Sequence, residues 1–285
     1  MIRVLVALAL FTLAACDDAN SGLIHADPPV KPPAVQFHRL TPDLLVGPRP
    51  SPEQVLELSA LGIQKVISVD ALPPESSVWG DSLQLRHLPL DYRDIPRTFQ
   101  LQLARELSAD PVKTYIHCHH GQHRGPAAAL TALLNLGTID QVEASAWLDR
   151  CGVAYRGLRN AVQNAEPANP EDIQSATPLL EVAETKSLSR LMAEIDQVWD
   201  RLKRVPSPEA PNARTQAEDA SELVDLLRLS SGTAGPVDPG YHQQIRKAID
   251  LAITLESQIL DGQDAAEARS KLRASCRACH RAYRD

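Results

Sequence analysis

The pattern of hydrophobic residues changes partway along this chain of 285 residues. In the first part, short apolar runs rich in β-branched residues alternate with helical stretches, which favours an α/β domain with a central mixed or parallel sheet flanked by helices. From residue 183 onward, apolar residues recur every three or four positions without a strand pattern, which favours an all-α antiparallel four-helix bundle. Prolines and small polar residues at 166–182 indicate a linker. The sequence therefore predicts two domains, 37–165 and 183–285.

Local signals place the helices and strands of both domains. The first predicted helix, 51–62, has a proline in its first turn and a glycine at its end, as helices commonly do. The strand 113–117 carries apolar Tyr115 and Ile116 side by side. The other predictions for the first domain are helices 98–108, 126–137, 139–152 and 154–165 and strands 63–70 and 83–90. The apolar stripes of the second domain span 188–202, 217–227 and 245–259, with a fourth helix at about 265–283.

The N-terminus has the pattern of an export signal. Arg3 precedes an apolar stretch at 4–15 that is too short to span a bilayer as a helix. The sequence LAAC at 13–16 resembles the lipobox of bacterial lipoproteins, which implies a lipoprotein signal peptide with its lipobox at 1–16 and a lipidated Cys16 at the mature N-terminus. An ordinary signal peptide ending near Ala15 is the alternative. With 17–36 as a polar, proline-rich tether, we expect a lipid-anchored protein of the bacterial cell envelope that faces the periplasm.

The formal net charge of −7 argues against a broad nucleic-acid surface, so no nucleic-acid partner is expected.

The segment HCHHGQHRGP at 117–126 carries the first candidate site. A strand, a tight loop with a glycine, and a helix together aim main-chain N–H groups and a helix N-terminus at one point, which suits a phosphate and a thiolate. Cys118 is the candidate nucleophile, because such surroundings lower the pKa of a thiol. Arg124 is expected to clamp two phosphate oxygens, and His117 to orient the cysteine end of the loop. The expected phosphate-binding residues are His119, His120, Gly121, Gln122, His123 and Arg124.

The order His-Cys-x-x-Gly-x-x-Arg resembles the signature of the cysteine-dependent protein phosphatases, nearest the dual-specificity group, over about residues 37–165. The resemblance implies hydrolysis of a phosphorylated protein or a small phosphoester through a phosphoenzyme. It also implies a general acid on an upstream loop, for which LDYRDIP at 90–96 offers Asp94, which we prefer, and Asp91. Either aspartate can instead be a solvated turn residue. Where the family usually carries Ser or Thr, this chain has Gly125, so the phosphoenzyme can be slow to hydrolyse.

Three other histidines and a second cysteine leave alternatives open. His119, His120 and His123 can bind zinc or copper together with a cysteine, or they can add positive charge around the anion below about pH 6.5. Cys151 is by default a buried helix residue. The alternative is that it forms a protective disulfide with Cys118 in an oxidising compartment.

The sequence CRACH at 276–280 is the attachment signature of c-type haem. Cys276 and Cys279 would bind the vinyl groups and His280 the iron. On the last helix of a bundle, this motif resembles the class II cytochromes, the cytochrome c′ and c556 family, over about 183–285. That resemblance implies one covalent haem c, with Met192 as sixth ligand or, alternatively, as a core residue. A redox C-x-x-C pair and half of a zinc site are the other interpretations.

Together these features predict a membrane-anchored periplasmic phosphatase coupled to a haem domain for redox or gas sensing or electron transfer, with a periplasmic redox partner. The alternative is an electron-transfer cytochrome whose first domain only binds an anion or a protein.

Overall fold

The computed structural model describes residues 36–74, 79, 83–184, 186–203, 213–233 and 239–283, which belong to one compact unit. The predicted signal peptide, Cys16 and all of the predicted tether except residue 36 lie outside the described residues. Within the described ranges, none of the helices combines the length and the apolar character that a bilayer span requires.

A five-stranded mixed sheet forms the centre of the first part. Its strands are β1 (His38–Thr41), β2 (Leu44–Pro48), β3 (Lys65–Ser68), β4 (Gln84–His87) and β5 (Thr114–Cys118), arranged in the order β1-β2-β5-β3-β4. Only β1 is antiparallel to its neighbour. Every residue of β5 is buried, because it is the middle strand and helices cover both faces.

Six helices surround or follow this sheet: α1 (Pro52–Ala60), α2 (Arg97–Ala109), α3 (Arg124–Asn135), α4 (Gln141–Cys151), α5 (Arg156–Gln163) and α6 (Pro170–Ser175). Ser51 caps α1 in a capping box with Gln54, and the proline at the start of α1 lies where its missing N–H costs nothing. Helix α3 is buried along its whole length and leads directly from the loop of interest.

Two features differ from the expectations. The β1–β2 hairpin was not predicted, because its strands are four and five residues long and adjoin prolines. The predicted linker contains α6, whose Ile173 packs into the core, and Leu180 forms an isolated bridge with His87 of β4. The linker is therefore partly structured and attached to the sheet.

Four further helices make up the helical segment: α7 (Leu188–Leu202), α8 (Ala213–Thr233), α9 (Pro239–Leu260) and α10 (Ala266–Tyr283). Each successive pair of these helices is in contact. The predicted stripes are buried where they pack, as for Leu191 and Leu202 of α7 and Leu255 of α9. The same hydrophobic core continues from the helical segment into the sheet domain.

Candidate functional site

The loop from Cys118 to Arg124 joins the middle strand β5 to the first residue of α3. Gly121 has φ +74°, and a Cβ there would lie 2.2 Å from the nitrogen of Pro48, so only glycine fits between the loop and the end of β2. At Gly125, by contrast, a Cβ would lie 3.5 Å from the nitrogen of Cys118, an ordinary contact. The loop can therefore accommodate a side chain at 125 but not at 121.

Arg124 is fully buried beneath this loop, with 0% of its surface exposed. Its Nη1 donates to the carbonyl of Leu90 at 3.0 Å and to Oδ2 of Asp225 in α8 at 2.7 Å. Its Nη2 donates to Oδ1 of Asp70 at 3.3 Å, and the guanidinium lies 4.4 Å from the centre of the Tyr92 ring. The guanidinium of Arg124 is thus bound by two carboxylates and by the face of an aromatic ring.

The two carboxylates around Arg124 differ in their ionisation. Burial favours the neutral form of Asp70, but Arg124 and Arg49 outweigh it and lower the pKa of that carboxyl. Burial raises the pKa of Asp225 to about 6, although Arg124 opposes the shift. The charged and titratable groups that face Asp225 are Arg124, Asp70, Arg228 and Glu256.

The histidines of the loop are largely neutral, contrary to the expectation that they add positive charge below about pH 6.5. Burial lowers the pKa of His119 to about 4, with Arg228 adding to the effect, and burial also lowers the pKa of His123 to about 4. The pKa of His120 is lowered for the same reason. In accordance with a neutral ring, Nη2 of Arg228 lies 2.9 Å from Nε2 of His119 and can donate to it. Groups of three or more metal-ligating side chains do not occur among the described residues.

His117 lies between aromatic rings. Its ring is stacked with that of Trp79 at 5.7 Å and that of Tyr115 at 6.1 Å. Burial lowers the pKa of His117 to about 3, and a polar interaction with the main chain of Cys118 opposes this shift. The ring thus lies against the cysteine end of the loop, and its predicted orienting role stays a prediction.

Asp91 and Asp94 are both exposed on the turn that precedes α2. Asp91 accepts hydrogen bonds from the main-chain nitrogens of Arg93 and Asp94, and Asp94 accepts one from Ile95. These are the bonds of a local turn. Between the two acids, Tyr92 points inward under Arg124.

The four cysteines of the described residues are thiols. Cys118 is 2% exposed and Cys151 is 3% exposed. Burial raises the pKa of Cys151 to about 11, which makes it a poor attacking group at neutral pH. Its surroundings therefore favour a core role over that of a resolving cysteine.

A second candidate site is a cavity of about 630 Å³ between the four helices of the helical segment. Met192 of α7 lines it together with Cys276, Cys279 and His280 of α10. Burial raises the pKa of Cys276 to about 11, and it also raises the pKa of Cys279. The hydroxyl of Tyr241 is buried without a hydrogen-bond partner among the described residues. The residues singled out in CRACH and in α7 thus face one apolar space.

Asp70, Asp225 and Arg228 are functional candidates that were not predicted from the sequence. Asp70 follows the buried strand β3, and the carboxyl ends of parallel strands are where α/β proteins place ligands, so this position carried a usable signal. Asp225 and Arg228 lie on the polar side of an amphipathic helix, which from sequence alone looks like a solvated face.

No family profile and no curated protein matches the chain, whereas solved structures do. TpbA of P. aeruginosa, solved in complex with pTyr, is 19% identical over 49% of this chain and 88% of its own, with a TM-score of 0.41. The PTP-2 phosphatase of Cydia pomonella is 16% identical over 45% and 89%, with a TM-score of 0.38. The human tyrosine phosphatase-like serine/threonine/tyrosine-interacting protein is 15% identical over 45% and 93%, with a TM-score of 0.38.

Proposed function

We propose that the sheet domain is a phosphatase that hydrolyses phosphoesters through a cysteinyl-phosphate intermediate on Cys118. The observation that carries this proposal is the geometry of the loop. It runs from the end of the middle strand to the N-terminus of a buried helix, turns at a glycine that no other residue can replace, and ends at a buried arginine. Such a loop can surround an oxyanion with main-chain N–H groups and one guanidinium.

The proposed reaction has two steps. The thiolate of Cys118 attacks phosphorus, so that an S–P bond forms while the bond to the leaving oxygen breaks and that oxygen takes up a proton. Water then attacks phosphorus, the S–P bond breaks and the thiolate is restored. Asp94 remains the preferred proton donor and Asp91 the alternative, because both lie on the turn beside Arg124.

Turnover of p-nitrophenyl phosphate tests this proposal. Activity should disappear in Cys118→Ser and fall strongly in Arg124→Lys, since lysine cannot form the two-pronged contact. Asp94→Asn should slow the hydrolysis of phenyl phosphate, whose phenolate is a poor leaving group, more than the hydrolysis of p-nitrophenyl phosphate. Asp91→Asn is the matched control. Turnover that survives in Cys118→Ser would refute the proposed mechanism.

For the helical segment we propose a four-helix bundle that binds one covalent haem c. The cavity of about 630 Å³ falls within the range typical of small-molecule sites, about 300 to 1,000 Å³. Its two thiols, one imidazole, one thioether and a phenol that lacks a hydrogen-bond partner among the described residues suit this group better than they suit a bare ion. Cys276 and Cys279 would hold it through thioether bonds, His280 would ligate from α10, and Met192 would ligate from α7.

When bound, the haem would supply one-electron redox chemistry or, if Met192 does not ligate, a position for a gas. This cavity also favours the second candidate function, an electron-transfer cytochrome whose sheet domain binds an anion or a periplasmic protein without turnover. A pyridine haemochrome spectrum and the intact mass test the haem, and both should show loss of covalent attachment in a Cys276→Ala, Cys279→Ala double variant. Haem content together with no Cys118-dependent hydrolysis would favour the second function.

The anchoring proposal rests on sequence alone. We propose that Cys16 carries lipid and tethers the protein to a bacterial membrane on the periplasmic side. Labelling of cells with a radioactive fatty acid should mark the wild type and not Cys16→Ser.

A further inference from the structure

Helix α8 presents two different faces. Leu223 and Leu227 line the cavity of the helical segment. The opposite, polar side of α8 faces the sheet domain, and residues three or four apart on it share one face. The contacts of this polar side are made by Glu218, Asp219, Ser221, Glu222, Asp225 and Arg228.

The carboxylate of Asp225 engages the guanidinium that a phosphate would need. Arg124 uses Nη1 for Asp225 and for Leu90, and Nη2 for Asp70, while its Nε has no partner among the described residues. A carboxylate and a phosphate are both oxyanions that accept from the same guanidinium N–H groups. Because Arg124 is completely buried, a phosphate that binds both of its Nη groups has to displace the two carboxylates.

The surrounding contacts close the loop from the same side. Arg228 lies within hydrogen-bonding distance of His119 and is 3.5 Å from Asp225. Tyr155 donates to Glu256 of α9 at 2.6 Å, and its oxygen is also 2.6 Å from that of Ser221. Cys118 is left 2% exposed. Asp225 and Arg228 of α8 thus contact the loop near both of its ends, at Arg124 and at His119 beside Cys118.

We propose that Asp225 is a built-in competitor of the substrate, which occupies the phosphate position at Arg124 and keeps the phosphatase site closed until α8 withdraws. This inference rests on the proposed function of the Cys118 loop. It makes the helical segment an autoinhibitory element of the same chain.

The alternative is that the pair only holds the two parts together. Other ion pairs already do so away from the loop, because Arg93 of the sheet domain pairs with Asp219 and Glu222 of α8. Asp219 lies on the same helix, is buried to a similar degree and does not contact Arg124. Asp219→Ala is therefore the matched control for Asp225→Ala.

The experiment uses the full chain and two measurements. Tungstate, a tetrahedral oxyanion, is titrated calorimetrically into Cys118→Ser with and without each aspartate substitution. Hydrolysis of p-nitrophenyl phosphate is measured with Cys118 intact. We expect Asp225→Ala to bind tungstate at least tenfold more tightly and to raise kcat/KM at least tenfold, with Asp225→Asn intermediate because its amide oxygen still accepts from Arg124. Asp219→Ala should change each by less than about threefold, because Glu222 keeps Arg93 paired to α8. Asp225→Asn also serves if the alanine variant does not fold.

The outcomes separate the two ideas. Equal tungstate affinity with and without Asp225, or an equal gain in Asp219→Ala, overturns the inference even if the wild type hydrolyses the substrate. Tighter tungstate binding in Asp225→Ala without any Cys118-dependent hydrolysis supports the competitor role and refutes the phosphatase. The absence of tungstate binding in every variant overturns both.

Discussion

The buried pair between Arg124 and Asp225 should be strongly coupled, and a double-mutant cycle can measure this. Two unit charges about 4 Å apart interact by about 4 kcal/mol at an effective dielectric constant of about 20. Asp70 shares the same guanidinium at 3.3 Å. We therefore expect Arg124→Met and Asp225→Asn to show a coupling free energy of about 2 to 3 kcal/mol at neutral pH. The magnitude measures the interaction and not the net stability, because burial of both charges opposes it.

The assay is urea unfolding of the wild type, the two single variants and the double variant, followed by tryptophan fluorescence. Trp147 lies in the sheet domain and Trp199 in the helical segment, so the fluorescence follows the unfolding of both parts. Arg159 and Asp149 form the control pair, with the same 2.7 Å separation as Arg124 and Asp225 but with a carboxylate side chain that is 70% exposed. We expect a coupling free energy of less than about 1 kcal/mol for this control pair. A coupling at 124 and 225 no larger than that of the control would refute the reasoning that burial strengthens this contact.

Three further predictions follow from the two sites. Gly125→Ser fits beside Cys118. If the proposed phosphoenzyme forms, the added hydroxyl can donate to the sulfur as it leaves, and steady-state turnover should rise about tenfold without a change in the initial burst of p-nitrophenol; an unchanged steady state would contradict this. The pKa of Asp225 is raised by burial from 3.8 to about 6, so its contribution to stability is fully present below 3.8 and is lost as pH rises through about 6. Between about pH 4 and 6 the free energy of unfolding of the wild type should fall relative to Asp225→Asn by up to about 1.4 kcal/mol per pH unit and then level off, and parallel profiles would count against it. Met192→Ala should keep the haem attached but let the reduced protein bind carbon monoxide, seen as a Soret shift; equal binding by the wild type would show that Met192 is not a ligand.

The strand, loop and helix around Cys118 were predictable from sequence because the local signals agree. Tyr115 and Ile116 are apolar neighbours on a strand buried on both faces, and Gly121 marks the position where this loop turns with a positive φ. The apolar stripes of the helical segment were equally clear, since each follows the helical period.

What sequence could not give is which polar groups become buried. The acids of α8 alternate with its leucines as on any solvated helix, but in the structure Arg93 and Arg124 of the sheet domain and Arg201 of α7 pair with them. The histidines were misjudged for the same reason. Their ordinary pKa is near 6.5, and it is burial, invisible in the sequence, that lowers those of His119 and His123 to about 4.

Because α8 borders the cavity with Leu223 and Leu227 and contacts Arg124 with Asp225, one helix contributes residues to both sites. Coupling between two binding sites is reciprocal. If a molecule in the cavity shifts α8 and changes the affinity of the Cys118 loop for an oxyanion by some factor, then oxyanion binding changes the affinity of the cavity for that molecule by the same factor. A spectroscopic titration at the cavity, repeated with saturating tungstate, would therefore read out the state of the distant loop without any measurement of catalysis.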